Sequence, residues 1–114
     1  MKLPPDIIAL IQAAPPVPPK TYGIDFDDTF TADPVLKSLF IQAGKLRGHR
    51  FYCVTARRAT EENEDLLNEW FDKYNCQMPI IFSNLRSKVD EMVARGIKID
   101  VWVDDSPYML VHGH

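Results

Sequence analysis

The chain has 114 residues, of which 46% are hydrophobic and 25% are charged, and its formal net charge is −3. This length and composition are typical of one soluble globular domain with its own hydrophobic core. The acidic balance argues against a general nucleic-acid-binding protein, because such proteins are usually basic. No apolar run approaches the ~18 residues of a membrane span, and the two cysteines lack a metal-binding spacing. We therefore expect a cytoplasmic protein without a membrane-spanning segment.

The first 20 residues are expected to form a helix followed by a proline-rich connector. Asp6 can cap a short helix that carries Ile7, Leu10 and Ile11 on one face. Residues 15–19 include four prolines, which must end the helix and form a stiff extended segment. The domain boundary is therefore placed after residue 20, and residues 21–114 form the main domain.

From residue 20 onward, apolar strand-like runs alternate with helical patterns. Strands are predicted at residues 20–26, 50–55, 79–82 and 100–103, with helices that begin at Asp33-Pro34, at Thr60 and near Ser87. The tail, residues 106–114, is expected to add at most a turn or a short edge strand. The predicted buried faces of the first two of these helices are Val35, Leu36, Leu39, Phe40 and Ala43, and Leu66, Leu67, Trp70, Phe71 and Tyr74. This alternation predicts an α/β fold with a parallel sheet.

Three carboxylates, Asp25, Asp27 and Asp28, stand within four residues at the end of the first predicted strand. Each like-charged pair at ~4 Å costs roughly 4 kcal/mol at an effective dielectric constant of ~20. A bound cation or a strongly shifted pKa is the usual compensation. Side chains alternate along a strand, so Asp25 and Asp27 are expected to point to one side and Phe26 to the other.

Other polar residues follow the ends of the later strands. Thr55 ends the second strand and Arg57 follows it, whereas Asp104 and Asp105 follow the fourth. Ligands of open parallel sheets bind beyond the carboxyl ends of the strands. If Asp104 shares a cation with Asp25, the first and fourth strands must be neighbours. Right-handed crossovers then require the strand order 3-2-1-4.

Lys88 is an independent indication of an anionic ligand. It lies near the start of the third of these helices, where a cation opposes the helix dipole. A lysine is better tolerated there if an anion lies between the two, and helix N-termini commonly bind phosphate. A solvated lysine without a role is the alternative interpretation.

The pattern Asp25-Phe26-Asp27-Asp28-Thr29 resembles the D-x-D-x-T signature of the haloacid-dehalogenase-like (HAD) phosphohydrolases. Thr55 resembles the second motif of that family, Lys88 the third, and residues 101–105 the fourth. The motifs occur in family order across residues 21–105. The resemblance implies a three-layer Rossmann-like fold and an enzyme that hydrolyses phosphomonoesters.

The resemblance also implies roles for the carboxylates. Asp25 would be the nucleophile that forms an aspartyl-phosphate, and Asp27 the general acid and then the general base. The cofactor would be Mg²⁺, held by Asp25, Asp104, Asp105 and the backbone carbonyl of Asp27. Thr29 would brace the loop.

Further residues are implied to contact the substrate. Thr55 and Lys88 would hold the phosphoryl oxygens, and Arg57 could contact a second phosphate or a base, or be solvated. The chain has no spare length for the cap domain that many relatives carry, so it resembles the capless members, whose open sites often accept large substrates. Nucleotides or nucleic-acid terminal phosphates are the first substrate hypothesis, and another subunit or residues 1–20 could cover the site.

Two other classes of function share these residue types. A receiver-type signalling module also combines aspartates, a threonine and a lysine on a small parallel sheet. Its acceptor aspartate, however, lies on a later strand than its acidic pair, which is the reverse of the order here. A binding protein that keeps the fold without turnover is the third class, and the intact set of aspartates argues against it.

Overall fold

The computed structural model describes residues 2–106 and 110–112, so the prediction for the tail falls partly outside the described residues. The helices are α1 (Pro5–Ala13), α2 (Pro34–Leu46), α3 (Glu61–Lys73) and α4 (Lys88–Ala94). The strands are β1 (Thr21–Ile24), β2 (Arg50–Thr55), β3 (Ile80–Phe82) and β4 (Val101–Val103). Each helix within these residues is too short or too polar to cross a lipid bilayer.

The strands form one parallel sheet in the order β3-β2-β1-β4. This confirms the predicted α/β class and the predicted strand order. Ile24 lies opposite Val103 in the register of β1 and β4, so Asp25 and Asp104 each follow a paired residue. Because neighbouring strands lie about 4.8 Å apart, this register brings the two carboxylates together.

Two helix starts follow the predicted capping chemistry, and a third does not. Asp33 and Thr60 each accept a hydrogen bond of 3.1 Å from the backbone N–H three residues further on. Gly96 follows α4 with a φ of +70°, a conformation that glycine adopts without steric cost. The prediction that Asp6 caps α1 is wrong, because Pro4 occupies that position and Asp6 lies in the first turn. There the carboxylate still interacts favourably with the helix dipole.

Hydrophobic clusters occupy both faces of the sheet. The larger cluster joins β1 and β2 to α2 and α3, and it is rich in aromatic side chains. A smaller one joins β2 and β3 to α4. The buried members of the larger cluster are Ile24, Phe26, Phe30, Ile41, Phe51, Cys53, Leu67, Phe71, Cys76, Met78 and Phe82, and those of the smaller one are Val54, Ile81 and Met92.

Helix α2 packs through a different face from the one predicted. Ser38 and Ile41 are its fully buried residues, whereas Leu36 is 59% exposed and Phe40 is 42% exposed. The cause is a close approach of helix and sheet at Gly44, where an added Cβ would lie 2.3 Å from the ring of Phe51. Position 44 therefore has no room for a side chain, and the helix faces the sheet with Ser38, Ile41 and Gly44 while Leu36 lies on the outer side. In α3 the predicted face is correct except at Leu66, which is also exposed.

We expect Gly44→Ala to destabilise the fold by about 1–2 kcal/mol. The steric cost of overpacking, about 1–3 kcal/mol, exceeds the gain in helix propensity of about 1 kcal/mol. Phe51 cannot move easily, because its ring stacks on Tyr22 at 4.9 Å and packs edge-on against Phe40 at 5.8 Å. Urea denaturation measures the free energy of unfolding of the variant.

Phe51→Leu supplies the matched background for this measurement. It removes the ring that a methyl group at position 44 would meet, so in that background the same glycine substitution is expected to stabilise the protein by up to about 1 kcal/mol. Equal effects of Gly44→Ala in the wild type and in the Phe51→Leu background would contradict the steric explanation.

The N-terminal region packs against the C-terminal half of α2. The backbone N–H of Leu3 donates to the side chain of Gln42 at 3.2 Å. The guanidinium of Arg47 donates to the carbonyls of Ala14 and Pro15 at 3.1 and 2.6 Å. Since α2 is about 20 Å long, these contacts lie far from the carboxyl edge of the sheet, where α2 begins.

Candidate active site

The residues after β1 form one wide turn that presents the acidic side chains. β1 ends at Ile24, two residues earlier than predicted, and the turn Phe26–Phe30 follows. Two backbone hydrogen bonds of 3.2 and 3.1 Å, each spanning five residues, close it. Asp28 has a φ of +60°, which aspartate tolerates better than most residues. The buried rings of Phe26 and Phe30 anchor the turn in the core.

A buried lysine connects the ends of β1 and β4. The Nζ atom of Lys88 donates to Oδ1 of Asp25 at 2.8 Å and to Oδ2 of Asp104 at 2.6 Å. The side chains of Lys88, Asp25 and Asp104 are 3%, 9% and 3% exposed. Lys88 is the first residue of α4, so the helix on one face of the sheet supplies the cation for carboxylates on two of its strands.

Burial and Lys88 shift the pKa of Asp25 in opposite directions. Burial raises the pKa of Asp25 from 3.8 to about 6, although the hydrogen bond and the charge of Lys88 lower it. Asp25 is therefore mostly ionised at neutral pH. Burial lowers the pKa of Lys88, but hydrogen bonds to Asp104 and Asp25 outweigh it, so that the pKa of this lysine lies above its usual value. Lys88 stays charged.

Thr29 links the first carboxylate to a third one. Its hydroxyl lies 3.1 Å from Oδ2 of Asp25 and 3.1 Å from Oδ1 of Asp105, and it accepts a hydrogen bond from the backbone N–H of Asp105. A single hydroxyl proton can serve only one of the two carboxylates at a time. These contacts join Thr29 to Asp25 and Asp105, and its predicted role in bracing the loop stays a prediction.

The carboxylates form a group that could hold a metal ion. One oxygen atom from each of Asp25, Asp104 and Asp105 lies within 4.8 Å of the others. Three carboxylates and the ammonium of Lys88 leave two negative charges uncompensated, which equals the charge of one divalent cation. Carboxylate oxygens are the ligands that Mg²⁺ and Ca²⁺ prefer, so the residues present fit such an ion.

Asp27 lies next to this group but is paired with an arginine. The guanidinium of Arg57 donates to both carboxylate oxygens of Asp27 at 2.9 Å. It also donates to the side chain of Asn63 at 2.8 Å, and its carbon atom lies 5.6 Å from the centre of the Phe26 ring. The hydrogen bonds to Asp27 raise the pKa of Arg57 above its already high value. The predicted role of Asp27 in metal binding concerns its backbone carbonyl, so the pairing of its side chain with Arg57 does not test that role.

Thr55 is buried at the end of β2. Its hydroxyl accepts a hydrogen bond of 3.3 Å from the backbone N–H of Arg57, so it shapes the loop that carries this arginine. Thr55 is 1% exposed, and the neighbouring Ala56 lines the cavity described next. Its predicted contact with a phosphoryl oxygen stays a prediction.

The acidic group opens into a cavity of about 350 Å³ at the carboxyl edge of the sheet. Asp25 and Asp27 both line it, whereas Phe26 packs in the core. These are the predicted sides, although β1 ends at Ile24 and the three residues lie beyond the strand. Among the residues that the structure describes, the lining consists of Asp25, Asp27, Asp28, Ala56, Lys88, Asp104, Asp105 and Ser106. The volume falls within the ~300–1,000 Å³ range of small-molecule sites.

The sequence alone missed two contributors to this site. Asn63 receives a hydrogen bond from Arg57, and Ser106 donates its backbone N–H to Asp104 at 2.9 Å. Asn63 stands three residues after the cap Thr60, a position from which a polar side chain commonly reaches back, and this spacing was the available signal.

Burial raises the pKa of the thiols of Cys53 and Cys76, so neither is a nucleophile at neutral pH.

Comparison of the chain with protein-family models, with curated proteins and with solved structures finds no match.

Proposed function

We propose that this chain is a Mg²⁺-dependent phosphomonoesterase of the HAD-like, Rossmann-like, capless type, working in the cytoplasm. The observation that carries the proposal is the buried arrangement of Asp25, Lys88 and Asp104, with Asp105 beside it and Asp27 at the rim of the same cavity. A scaffold has little reason to bury two carboxylates on one lysine, because the desolvation cost approaches or exceeds the Coulombic gain. A site that binds charged ligands does have a reason to bury such charged groups.

Asp25 is the nucleophile. Lys88 holds its Oδ1 atom, and Thr29 lies beside its Oδ2 atom, so the carboxylate is fixed before the substrate binds. An oxygen of Asp25 attacks phosphorus while the bond from phosphorus to the leaving-group oxygen breaks, which gives an aspartyl-phosphate and an alcohol. Water then attacks this phosphorus, and inorganic phosphate and free Asp25 are released.

Asp27 gives a proton to the leaving oxygen and later takes one from the attacking water. In its bidentate pair with Arg57 the carboxylate only accepts hydrogen bonds, and in that state it has no proton to give. The pair must therefore open during turnover. Arg57 is then free to contact a phosphoryl oxygen, a change of partner that replaces one anion by another.

Lys88 has donors for both protein and substrate. An ammonium group carries three N–H bonds, and two of them are directed at Asp25 and Asp104. The third can contact a phosphoryl oxygen, and Thr55 at the end of β2 supplies a second contact. Asp25, Asp104 and Asp105, together with the backbone carbonyl of Asp27, would hold Mg²⁺. When bound, the ion neutralises negative charge on the transferring phosphoryl group.

A screen for phosphatase activity tests the proposal. Nucleotides, sugar phosphates, phosphopeptides and phosphorylated oligonucleotides are incubated with the protein, with Mg²⁺ or with EDTA, and inorganic phosphate is measured. We expect Mg²⁺-dependent release from at least one class, and no release by the Asp25→Asn variant. Stoichiometric phosphorylation of Asp25 by acetyl phosphate without turnover would instead support the receiver-type module.

The role of Asp27 has its own readout. Proton donation matters most when the leaving group is a poor one, so Asp27→Asn should lower kcat/KM, which reports the steps up to release of the leaving group, about 10²–10⁴-fold for an alkyl phosphate. The leaving group of para-nitrophenyl phosphate needs little protonation, so for this substrate a much smaller decrease in kcat/KM is expected. An equal loss on both substrates would remove the acid role from Asp27.

A further inference from the structure

The loops that follow β2 and β3 are joined by hydrogen bonds into one unit, here called the two-loop platform (residues 56–59 and 83–86). The backbone N–H of Leu85 donates to the carbonyl of Ala56 at 2.7 Å, and that of Asn84 donates to the carbonyl of Arg57 at 3.3 Å. The side chain of Asn84 accepts a hydrogen bond of 2.8 Å from the backbone of Ala59. The two loops therefore hold each other in position.

The second loop of the platform is strained. Asn84 and Leu85 have φ values of +53° and +65°. Asparagine tolerates this region, but for leucine it is uncommon. Such a conformation costs of order 1–3 kcal/mol and persists where the surroundings enforce it, most often at functional sites. The hydrogen bonds to the first loop enforce it here.

The platform fixes the backbones of two further arginines, Arg58 and Arg86. The side chain of Asn63 donates to the carbonyl of Arg58 at 2.9 Å, and the buried hydroxyl of Ser83 donates to the carbonyl of Arg86 at 2.9 Å. Both arginines are exposed. Within residues 2–106 and 110–112, neither guanidinium takes part in an ion pair, whereas that of Arg57 is bound to Asp27.

Both arginines stand two positions along the chain from a residue that lines the cavity. Arg58 is two residues from Ala56, and Arg86 is two residues from Lys88, and both of these line the cavity. Two residues span at most about 7.6 Å between Cα atoms. The extended side chain of an arginine covers a comparable distance, so the guanidinium groups can reach a ligand that projects from the cavity.

We propose that Arg58 and Arg86 form a subsite for a second phosphate of the substrate, outside the phosphate that is hydrolysed. This rests on the function proposed above and specifies its substrate class: a phosphomonoester that carries another phosphate group nearby. Guanidinium groups bind phosphate through paired hydrogen bonds and remain charged at any physiological pH. The cavity itself is acidic, so a polyanionic substrate needs positive charge at its rim, which these two residues supply.

Matched substrates test the subsite. One series carries the phosphate to be hydrolysed at the 3′ position and the other carries it at the 5′ position. Each series contains a nucleoside monophosphate, the nucleoside 3′,5′-bisphosphate, and an oligonucleotide of four nucleotides with the phosphate at the corresponding end. We expect the wild-type kcat/KM to be about tenfold or more higher for the substrates with a second phosphate, mainly through KM. The bisphosphate and oligonucleotide arms distinguish a small metabolite from a nucleic-acid end.

The variants are Arg58→Gln, Arg86→Gln and the double variant, with Lys98→Gln as a control that removes an equal charge from a 90% exposed side chain before β4. The ratio of kcat/KM with and without the second phosphate should fall about threefold or more in each single variant and approach one in the double variant. It should not change in Lys98→Gln. A wild-type ratio near one, a double variant with the wild-type ratio, or a stronger preference for phosphopeptides would overturn the proposal.

A binding measurement separates failure of the subsite from failure of the phosphatase hypothesis. Fluorescence anisotropy follows a labelled, terminally phosphorylated oligonucleotide with wild type and the double variant. If no substrate is hydrolysed but the double variant binds at least tenfold more weakly, the subsite stands and the phosphatase assignment fails. Equal affinities, or no binding by wild type, would contradict the subsite whatever the activity screen gives.

Discussion

Lys88→Met is expected to destabilise the fold by about 3–5 kcal/mol at pH 7 in buffer that contains EDTA. The substitution keeps an unbranched side chain, one atom shorter, but removes the cation from Asp25 and Asp104, whose carboxylates are 9% and 3% exposed. An uncompensated buried charge is among the most destabilising changes known for a single residue. Urea denaturation measures the effect, and Mg²⁺ should restore more stability to this variant than to wild type.

Lys98→Met is the matched control. Lys98 is 90% exposed, and its Nζ atom lies 3.7 Å from Asp100, so its replacement should change the free energy of unfolding by no more than about 0.5 kcal/mol. If Lys88→Met does not fold in isolation, the double variant Lys88→Met with Asp25→Asn removes one of the stranded charges and should recover folding. A Lys88→Met protein as stable as the control would show that the lysine does not hold the two carboxylates.

Asp25→Asn is expected to abolish turnover, with kcat lowered about 10³-fold or more, while the fold becomes more stable. The loss of activity follows from the loss of the attacking oxygen. The gain in stability follows from burial, which raises the pKa of Asp25 to about 6. A shift of this size means that the ionised carboxylate costs the folded state about 3 kcal/mol relative to the unfolded chain.

The stability gain of this variant should depend on pH with a definite sign. Between pH 3.8 and about 6 the folded wild type binds a proton at Asp25 that the unfolded chain has begun to release. The contribution of Asp25 to stability is therefore fully present below pH 3.8 and is lost as the pH rises through about 6. In EDTA, the difference in unfolding free energy between Asp25→Asn and wild type should be small near pH 4 and grow to about 1–3 kcal/mol at pH 7.

Asp65→Asn provides the control for charge removal alone, because Asp65 is exposed on α3. It should leave both kcat and the pH dependence of stability at wild-type values. An Asp25→Asn variant with substantial turnover would remove the nucleophile assignment. An Asp25→Asn variant that is less stable than wild type at every pH would contradict the expected cost of burying the ionised carboxylate. It would indicate that the favourable contact of Asp25 with Lys88 outweighs this cost.

The local chemistry of the chain could be predicted because it depends on neighbours in the sequence. Asp33 and Thr60 were recognisable as helix caps, since a cap needs only a side-chain oxygen and an N–H three residues away. The strand order followed from one requirement, the meeting of Asp25 and Asp104, together with the fixed handedness of crossovers. The carboxylates at the ends of β1 and β4 were likewise identified from their position after apolar runs.

Packing between distant segments could not be predicted in this way. The apolar residues of α2 predicted one buried face, but the contact between Gly44 and Phe51 selected another. The choice depends on the separation of helix and sheet, which no local pattern encodes. The paired state of Arg57 and Asp27 also depends on a distance between residues 30 positions apart.

The sequence by itself determined which groups meet at the carboxyl edge: the acidic residues, a threonine and a lysine, on a parallel sheet of known order. The tertiary structure decided how these groups share their partners. Lys88 lies between Asp25 and Asp104, Thr29 lies between Asp25 and Asp105, and Arg57 holds Asp27. The physical reason is that the ends of the strands fix where the backbone of each residue lies. Which of several anions pairs with a given cation depends in addition on distances of a few tenths of an ångström and on burial, and only the tertiary structure sets these.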